Sequence, residues 1–214
     1  MASQADRALM RRAIALARGR LGTTWPNPVA GCVIAKAGAV VAEAVTGPGG
    51  AGSAGQRLHA EEQALAQAGA GARGGSAYIT LEPCAERSAA RASCTDHLIA
   101  GGVARVLIAS EDPSPMAAGR GVQRLRDAGV EVETGLLASE ANGLYAGYRR
   151  RLASGRPLVE AADVPDGYDA PFEPRTGEDL LAALNRYGAD GYTRLWIPRG
   201  EQLERALLDR GLLG

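Results

Sequence analysis

The chain has 214 residues, 46% of them hydrophobic, enough for one sizeable core and a small appendage. Its 24 basic and 24 acidic side chains cancel to a formal net charge of +0, so no global basic field holds polyanionic RNA or DNA, and a small-molecule substrate is favoured. No apolar stretch approaches the ~20 residues of a membrane span, and the charged, amphipathic residues 1–20 lack the apolar centre of a signal peptide, so a cytoplasmic protein without membrane contact is expected.

Helix and strand alternate along the chain. Leu9, Ile14 and Leu16, with several alanines, predict a packed helix over 7–18. Two apolar runs, 29–35 and 39–44, flank Lys36-Ala37-Gly38 and read as a hairpin, with Cys32 a buried strand residue. Residues 46–56 are glycine-rich and read as a mobile loop, after which a helix runs from near His59 to about Ala68. A strand over 77–81 leads to Cys84. Ser93 with Asp96 three residues on makes a capping-box pattern, placing Cys94 in the first turn of a helix with Leu98, Ile99 and Val103 behind it. A strand over 105–109, a helix over 119–128, a strand over 130–134 and a final helix over 139–153 follow. Two strands joined through a helix in one sheet make a right-handed parallel crossover, so the last two strands are expected to be parallel. The fold class expected is α/β, a mixed sheet with helices on both faces.

One constellation in this alternation carries chemistry. His59-Ala60-Glu61 is followed by Pro83-Cys84 and then, after the linker Ala85 to Ser93, by Cys94. One imidazole and two thiolates fill three positions of a tetrahedral Zn2+ site and leave the fourth open, which points to catalysis. Water in such a position is acidified to a pKa of about 7. Glu61, two residues beyond His59 at a helix start, can face the same pocket without ligating and carry protons to a ring nitrogen and to departing ammonia. This order of residues is the pattern of zinc deaminases of bases, here with a longer spacing between the cysteines. Helix N-termini at both segments help keep the thiolates ionised. The competing reading is a structural histidine with two buried cysteines. A closed structural zinc site would need a fourth protein ligand, and the only other histidine, His97, lies within the helix after Cys94.

Further motifs extend the pattern. Thr24-Trp25-Pro26-Asn27-Pro28-Val29-Ala30-Gly31-Cys32-Val33-Ile34, then Thr80-Leu81-Glu82-Pro83-Cys84, then Glu111-Asp112-Pro113-Ser114-Pro115 with Gly119-Arg120-Gly121 stand in a specific order. In these the chain resembles, over about 5–159, the deaminase domain of riboflavin biosynthesis enzymes. The resemblance implies a cytidine-deaminase-like three-layer α/β/α sandwich, zinc held by His59, Cys84 and Cys94, and Glu61 as proton shuttle. It implies a diaminopyrimidinone ribosyl- or ribitylamino 5'-phosphate as substrate, with Asn27 at the pyrimidine and Asp112 shaping the pocket near the sugar. Ser114, where the family usually has Asn, is a further substrate-binding candidate. A homo-oligomer, a dimer, is expected. The linker is one residue longer than in the family's bacterial form and lacks its His-x-Gly-Arg/Lys-Thr-Pro-Pro pattern; a histidine usual before the metal histidine is also missing. Its length and Glu86-Arg87 are more similar to the fungal-type enzymes, which act after the sugar has been reduced to ribityl. Arg87 and Arg91 are candidates for holding the phosphate by bidentate contacts, the alternative for each being a solvated loop side chain.

Residues 1–159 are expected to form the deaminase domain and 160–214 a linker and short α/β tail. The Pro/Gly/Asp-rich 163–177 reads as the linker. Residues 180–191, 195–200 and 202–213 resemble only the closing helix, strand and helix of that family's reductase, so a bifunctional enzyme is not expected. Ile197-Pro198-Arg199-Gly200 replaces the reductase's Val-Glu-Gly-Gly phosphate-binding turn, and proline without an amide donor, with bulky arginine beside it, leaves no nucleotide site. The tail then packs on the domain or on an oligomer partner. Two other functions stay open: deamination of another base, nucleoside or modified pyrimidine, and a non-catalytic zinc scaffold, for which Glu61 has no use.

Overall fold

The computed structural model describes residues 2–50, 57–87 and 91–214, in two units. The first comprises Met1–Gly19, Val29–Gly47 and Gly55–Gly143. Its sheet runs β2-β1-β3-β4-β5. In it β1 (Gly31–Lys36) is antiparallel to β2 (Ala39–Val45) and to β3 (Ser76–Leu81), while β4 (Arg105–Ser110) and β5 (Glu131–Thr134) continue parallel to β3. The hairpin closes through Ala37 and Gly38 at φ 50° and 80°, a left-handed pair between Lys36 and Ala39 that suits the twist of the strands.

Side-chain alternation sorts this sheet into two faces. Cys32, Ile34, Ile79, Val106 and Ile108 form one core with Ala60 and Ala64 of α2 (Ala60–Ala68), Leu98 of α3 (Cys94–Ala100), and Val122 and Leu125 of α4 (Arg120–Asp127). On the other face, the Tyr78 hydroxyl donates to Asp6 of α1 (Gln4–Arg18) at 2.7 Å. The helix comes so close that a Cβ on Gly31 would lie 2.1 Å from the Ala13 carbonyl oxygen. Helices therefore cover both faces of a mixed sheet, the three-layer arrangement expected, with its last two strands parallel.

Two expectations need correction here. Helix α1 starts at Gln4, ahead of the apolar repeat, because Ser3 and Asp6 make a reciprocal capping box. The single helix expected over 139–153 is broken: α5 (Ala138–Asn142) passes into a 3-10 turn over Gly143–Tyr145, and α6 (Ala146–Ser154) follows. Asn and Gly are poor helix residues, and Asn142 turns its side-chain oxygen to the Ser110 hydroxyl at 2.9 Å.

The second unit, Arg20–Pro28, Pro48–Ala54 and Leu144–Gly214, holds α6 and an all-parallel sheet in the order β6-β8-β7. Its strands are β6 (Leu158–Ala162), β7 (Ala170–Pro171) and β8 (Arg194–Pro198), with α7 (Leu180–Ala189) and α8 (Gln202–Asp209). Val159, Phe172, Leu184, Leu195, Ile197 and Leu207 share its core. Segment 163–177 is not simply a linker, because it contains β7. The Asp169 carboxylate accepts the Thr193 and Arg194 N–H groups at 2.6 and 2.9 Å and docks β7 beside β8. No helix among the described residues is long and apolar enough to cross a membrane.

Candidate metal centre

Two helix starts and one strand end bring the site together. His59 is the residue before the first turn of α2, in extended conformation, and its side chain makes no capping hydrogen bond, so the imidazole is available elsewhere. Cys94 opens α3, where the Ser93 hydroxyl accepts the Asp96 N–H at 3.1 Å and the Asp96 carboxylate accepts the Ser93 N–H at 2.9 Å. Cys84 follows β3 through Pro83. His59 Nδ1 lies 3.1 Å from Cys94 Sγ and 3.7 Å from Cys84 Sγ, the Cys94 N–H reaches Cys84 Sγ at 3.3 Å, and the three ligand atoms lie within 4.8 Å of one another. Metal bonds of about 2.3 Å to sulfur and about 2.0 Å to nitrogen give tetrahedral edges of roughly 3.5–3.8 Å. This donor set fits a zinc-sized ion with one position left over, and all three cysteines of the chain are free thiols.

Glu61, in the first turn of α2, is 3% exposed. Burial raises its carboxyl above the usual range, opposed by the nearby His59. Cys84 is lowered, chiefly because the Cys94 thiol donates to it, and Cys94 is raised by the same bond seen from the donor side. The pair therefore holds one negative charge readily, centred on Cys84. Burial pushes Cys32 well up, so it stays a thiol as a strand residue should.

A second layer holds Cys84 in place. The Thr95 N–H and hydroxyl donate to the Cys84 carbonyl at 3.2 and 2.9 Å. Buried Glu82 accepts the Gly119 and Val122 N–H groups at 3.1 and 3.4 Å, occupying the amide end of α4. Gly121 packs so closely that a Cβ would be 2.1 Å from the Pro83 carbonyl oxygen, which accounts for its glycine. Arg124 donates to the Ala85 carbonyl, to Ser93 Oγ and to Asp96, tying both ends of the linker to α4. Asp112 and Ser114 are buried in the loop after β4, where the Asp112 carboxylate accepts the Ser114 N–H at 2.9 Å. In the same loop the Met116 carbonyl accepts the Ala85 N–H at 2.8 Å, so these two residues shape the loop beside Cys84. Asn27 belongs to the second unit and is half-buried, its N–H donating to the Thr24 carbonyl at 3.2 Å.

The linker arginines do not project freely. Arg87 donates to Glu62 at 2.7 Å and to the Arg57 carbonyl at 2.6 Å, and Arg91 donates to the other Glu62 oxygen at 3.1 Å. Arg87 is 6% exposed and Arg91 34%, which rules out a merely solvated Arg87. Linker residues 88–90 and loop residues 51–56 lie outside the described residues. Sequence reasoning missed Glu62, Arg57 and Arg124, and gave no role to Glu82, which stood in the motif Thr80 to Cys84. For Glu62 the one available signal was the doubled acid after His59-Ala60, which a solvated helix face explains equally well.

The model of the cytidine and deoxycytidylate deaminase zinc-binding region matches residues 3–110. The chain is 47% identical over 156 residues to the riboflavin biosynthesis protein RibD of Escherichia coli, covering 72% of this chain and 40% of that protein. It is 41% identical over 148 residues to the diaminohydroxyphosphoribosylamino-pyrimidine deaminase of Buchnera aphidicola, covering 69% of this chain and 96% of that protein. Among solved structures, form 1 of Acinetobacter baumannii RibD matches with a TM-score of 0.81 and 25% identity, over 98% of this chain and 85% of that one. Form 2 matches with a TM-score of 0.66 and 41% identity, over 74% and 43%. The chain spans about two fifths of the length of the curated RibD relatives it matches, at 40%, 41% and 43% in turn.

Proposed function

Because the chain belongs to the cytidine and deoxycytidylate deaminase zinc-binding family, and within it to the diaminohydroxyphosphoribosylaminopyrimidine deaminases, we propose that it hydrolyses an amino group from a phosphorylated diaminopyrimidinone in riboflavin biosynthesis. The substrate of this reading carries a ribosyl- or ribitylamino 5'-phosphate, and ammonia is the second product. The convergence of His59, Cys84 and Cys94 within 4.8 Å, beside a buried carboxylate that is not needed as a ligand, carries the proposal. His59, Cys84 and Cys94 hold zinc, which when bound supplies Lewis acidity and acidifies water to a pKa of about 7.

The chain's own groups move the protons. The Glu61 carboxylate takes one proton from the attacking water and passes it to the ring nitrogen as the new C–O bond forms. It then passes the second to the amino group as the C–N bond breaks, leaving a ring carbonyl, ammonia and the carboxylate restored. Its burial keeps bulk water away from that relay. Arg91, with Arg87 behind it, takes the phosphate side, and Asp112 and Ser114 shape the sugar side. In this reading residues 1–159 carry out the reaction, in the cytoplasm and as a homodimer that sedimentation velocity can measure. Residues 160–214 hold no nucleotide, a view supported by Glu204, which accepts the Gly200 N–H at 2.6 Å and so occupies an amide that a phosphate would need.

The test is ammonia release measured side by side with the phosphorylated ribosylamino- and ribitylaminopyrimidines, cytidine, guanine and adenosine. Turnover confined to one of the phosphorylated pyrimidines is expected. Turnover of an unphosphorylated base or nucleoside, with none of the phosphorylated compounds, refutes the substrate class.

A further inference from the structure

We propose that Glu62 is a positioning residue for the substrate phosphate: it bridges Arg87 and Arg91 and so holds the linker's anion-binding groups ready on the helix that carries Glu61. The proposal rests on the phosphorylated substrate argued above. Its starting point is an uncommon arrangement, one carboxylate shared by two arginines, one oxygen to each, at 2.7 and 3.1 Å. With Glu62 between them, the two guanidinium groups keep one net positive charge, which favours a phosphate. Arg87 is also tied to the Arg57 carbonyl at 2.6 Å, two residues before His59, and is nearly fully buried. It serves as the fixed post, and the more exposed Arg91 is the group presented.

The value of such a bridge is preorganisation. An arginine on a loop loses rotamer freedom when it grips an anion, and a bridge that has already restricted it leaves less to lose. Glu62 is also dispensable to the cysteines. Both linker ends are held independently by Arg124, Arg120 reaches Glu86 at 2.7 Å, and the Met116 carbonyl takes the Ala85 N–H at 2.8 Å. Removing Glu62 should therefore release the arginines while leaving the metal in place, an outcome that separates positioning from general support.

The experiment compares wild type, Glu62→Gln and Glu62→Asp. It reads zinc content, ammonia release with phosphorylated and dephosphorylated diaminopyrimidinone, and the rise in Tm caused by inorganic phosphate. Glu62→Gln should keep its zinc, raise KM for the phosphorylated substrate about tenfold or more with kcat within about threefold, and leave KM for the dephosphorylated one nearly unchanged. Inorganic phosphate should stabilise wild type, Glu62→Gln much less, and Glu62→Asp nearly as well as wild type. Should Glu62→Gln fail to fold, Glu62→Gln/Arg87→Gln removes the unpaired buried guanidinium, and a phosphate response as large as wild type's would sink the proposal. Equal KM losses on both substrates, or no phosphate stabilisation of wild type, also overturn it. If wild type responds to phosphate yet turns over no pyrimidine, the substrate reading fails while the role of Glu62 is still decided by the Tm series.

Discussion

Replacing Gly121 with alanine tests whether the cysteine-bearing loop is set by the packing of α4. The new methyl would sit 2.1 Å from the Pro83 carbonyl oxygen and 3.3 Å from Thr95 Oγ1. Ordinary contact begins near 3.5 Å, so helix and loop must part by roughly 1 Å or more. Neither can yield cheaply. Pro83 lies between Glu82, which accepts amides of the first turn of α4, and Cys84, which is fixed by Thr95. Overpacking costs about 1–3 kcal/mol, and a clash between backbone groups belongs at the top of that range. Alanine in place of glycine within a helix returns about 1 kcal/mol. A net loss of about 2 kcal/mol remains, or a fall of roughly 4–8 °C in Tm for a chain of this size. Because the strain falls beside Cys84, retention of zinc against a chelator should drop as well. Gly143→Ala is the control, since that glycine has φ −60° and nothing within 4 Å of the added methyl. It should melt at or slightly above wild type. If Gly121→Ala melted with wild type and kept its metal as firmly, the packing argument would be wrong.

Ligand and proton carrier separate by metal analysis: His59→Ala or Cys94→Ala should lose zinc and stability together, whereas Glu61→Gln should keep about one zinc per chain and lose at least ~100-fold in kcat. Near-normal ammonia release from Glu61→Gln refutes the relay. Asp6 should govern acid sensitivity. Burial pushes its carboxyl up, but hydrogen bonds from Tyr78, Ser3 and Arg105 outweigh this and hold it well below the usual carboxylate range. A folded pKa below the unfolded value of about 3.9 adds stability that is complete above that value and is lost as pH falls through the folded one. Urea melts should show wild type losing more stability than Asp6→Asn between about pH 5 and pH 2, with Asp6→Asn about 2 kcal/mol weaker at pH 7. Parallel pH curves for the two proteins would reject that assignment.

What could be read from the sequence follows the range of the interactions. The turn at Ala37-Gly38, the capping box at Ser93 and the alternation of the strands are settled within a few residues, and each is found where its local chemistry demands. The grouping of His59, Cys84 and Cys94 and the inward-facing Glu61 were visible because few residue types suit the chemistry proposed for them. The contacts that stayed hidden are long-range. Gly121 is a glycine because of Pro83, β7 exists because Asp169 reaches the amides of Thr193 and Arg194, and Arg87 is buried because of an acid 25 residues earlier. Composition gives no hint of any of these, since a loop aspartate or arginine is solvated more often than docked.

Glu61 and Glu62 illustrate how far adjacency misleads. Successive residues on an α-helix point about 100° apart, so two neighbouring acids meet different partners. Glu61 turns inward and is 3% exposed, in the first turn of the helix that His59 precedes. Glu62 turns toward the linker, with a side chain 19% exposed, and ends between two guanidinium groups. A single helix start thus offers an imidazole, a buried carboxylate and a bridging carboxylate in three directions. Any substitution that rotates or frays that turn should disturb metal, turnover and phosphate response together, whereas Glu61→Gln should lower turnover with metal and phosphate response kept, and Glu62→Gln should weaken the phosphate response with the metal kept.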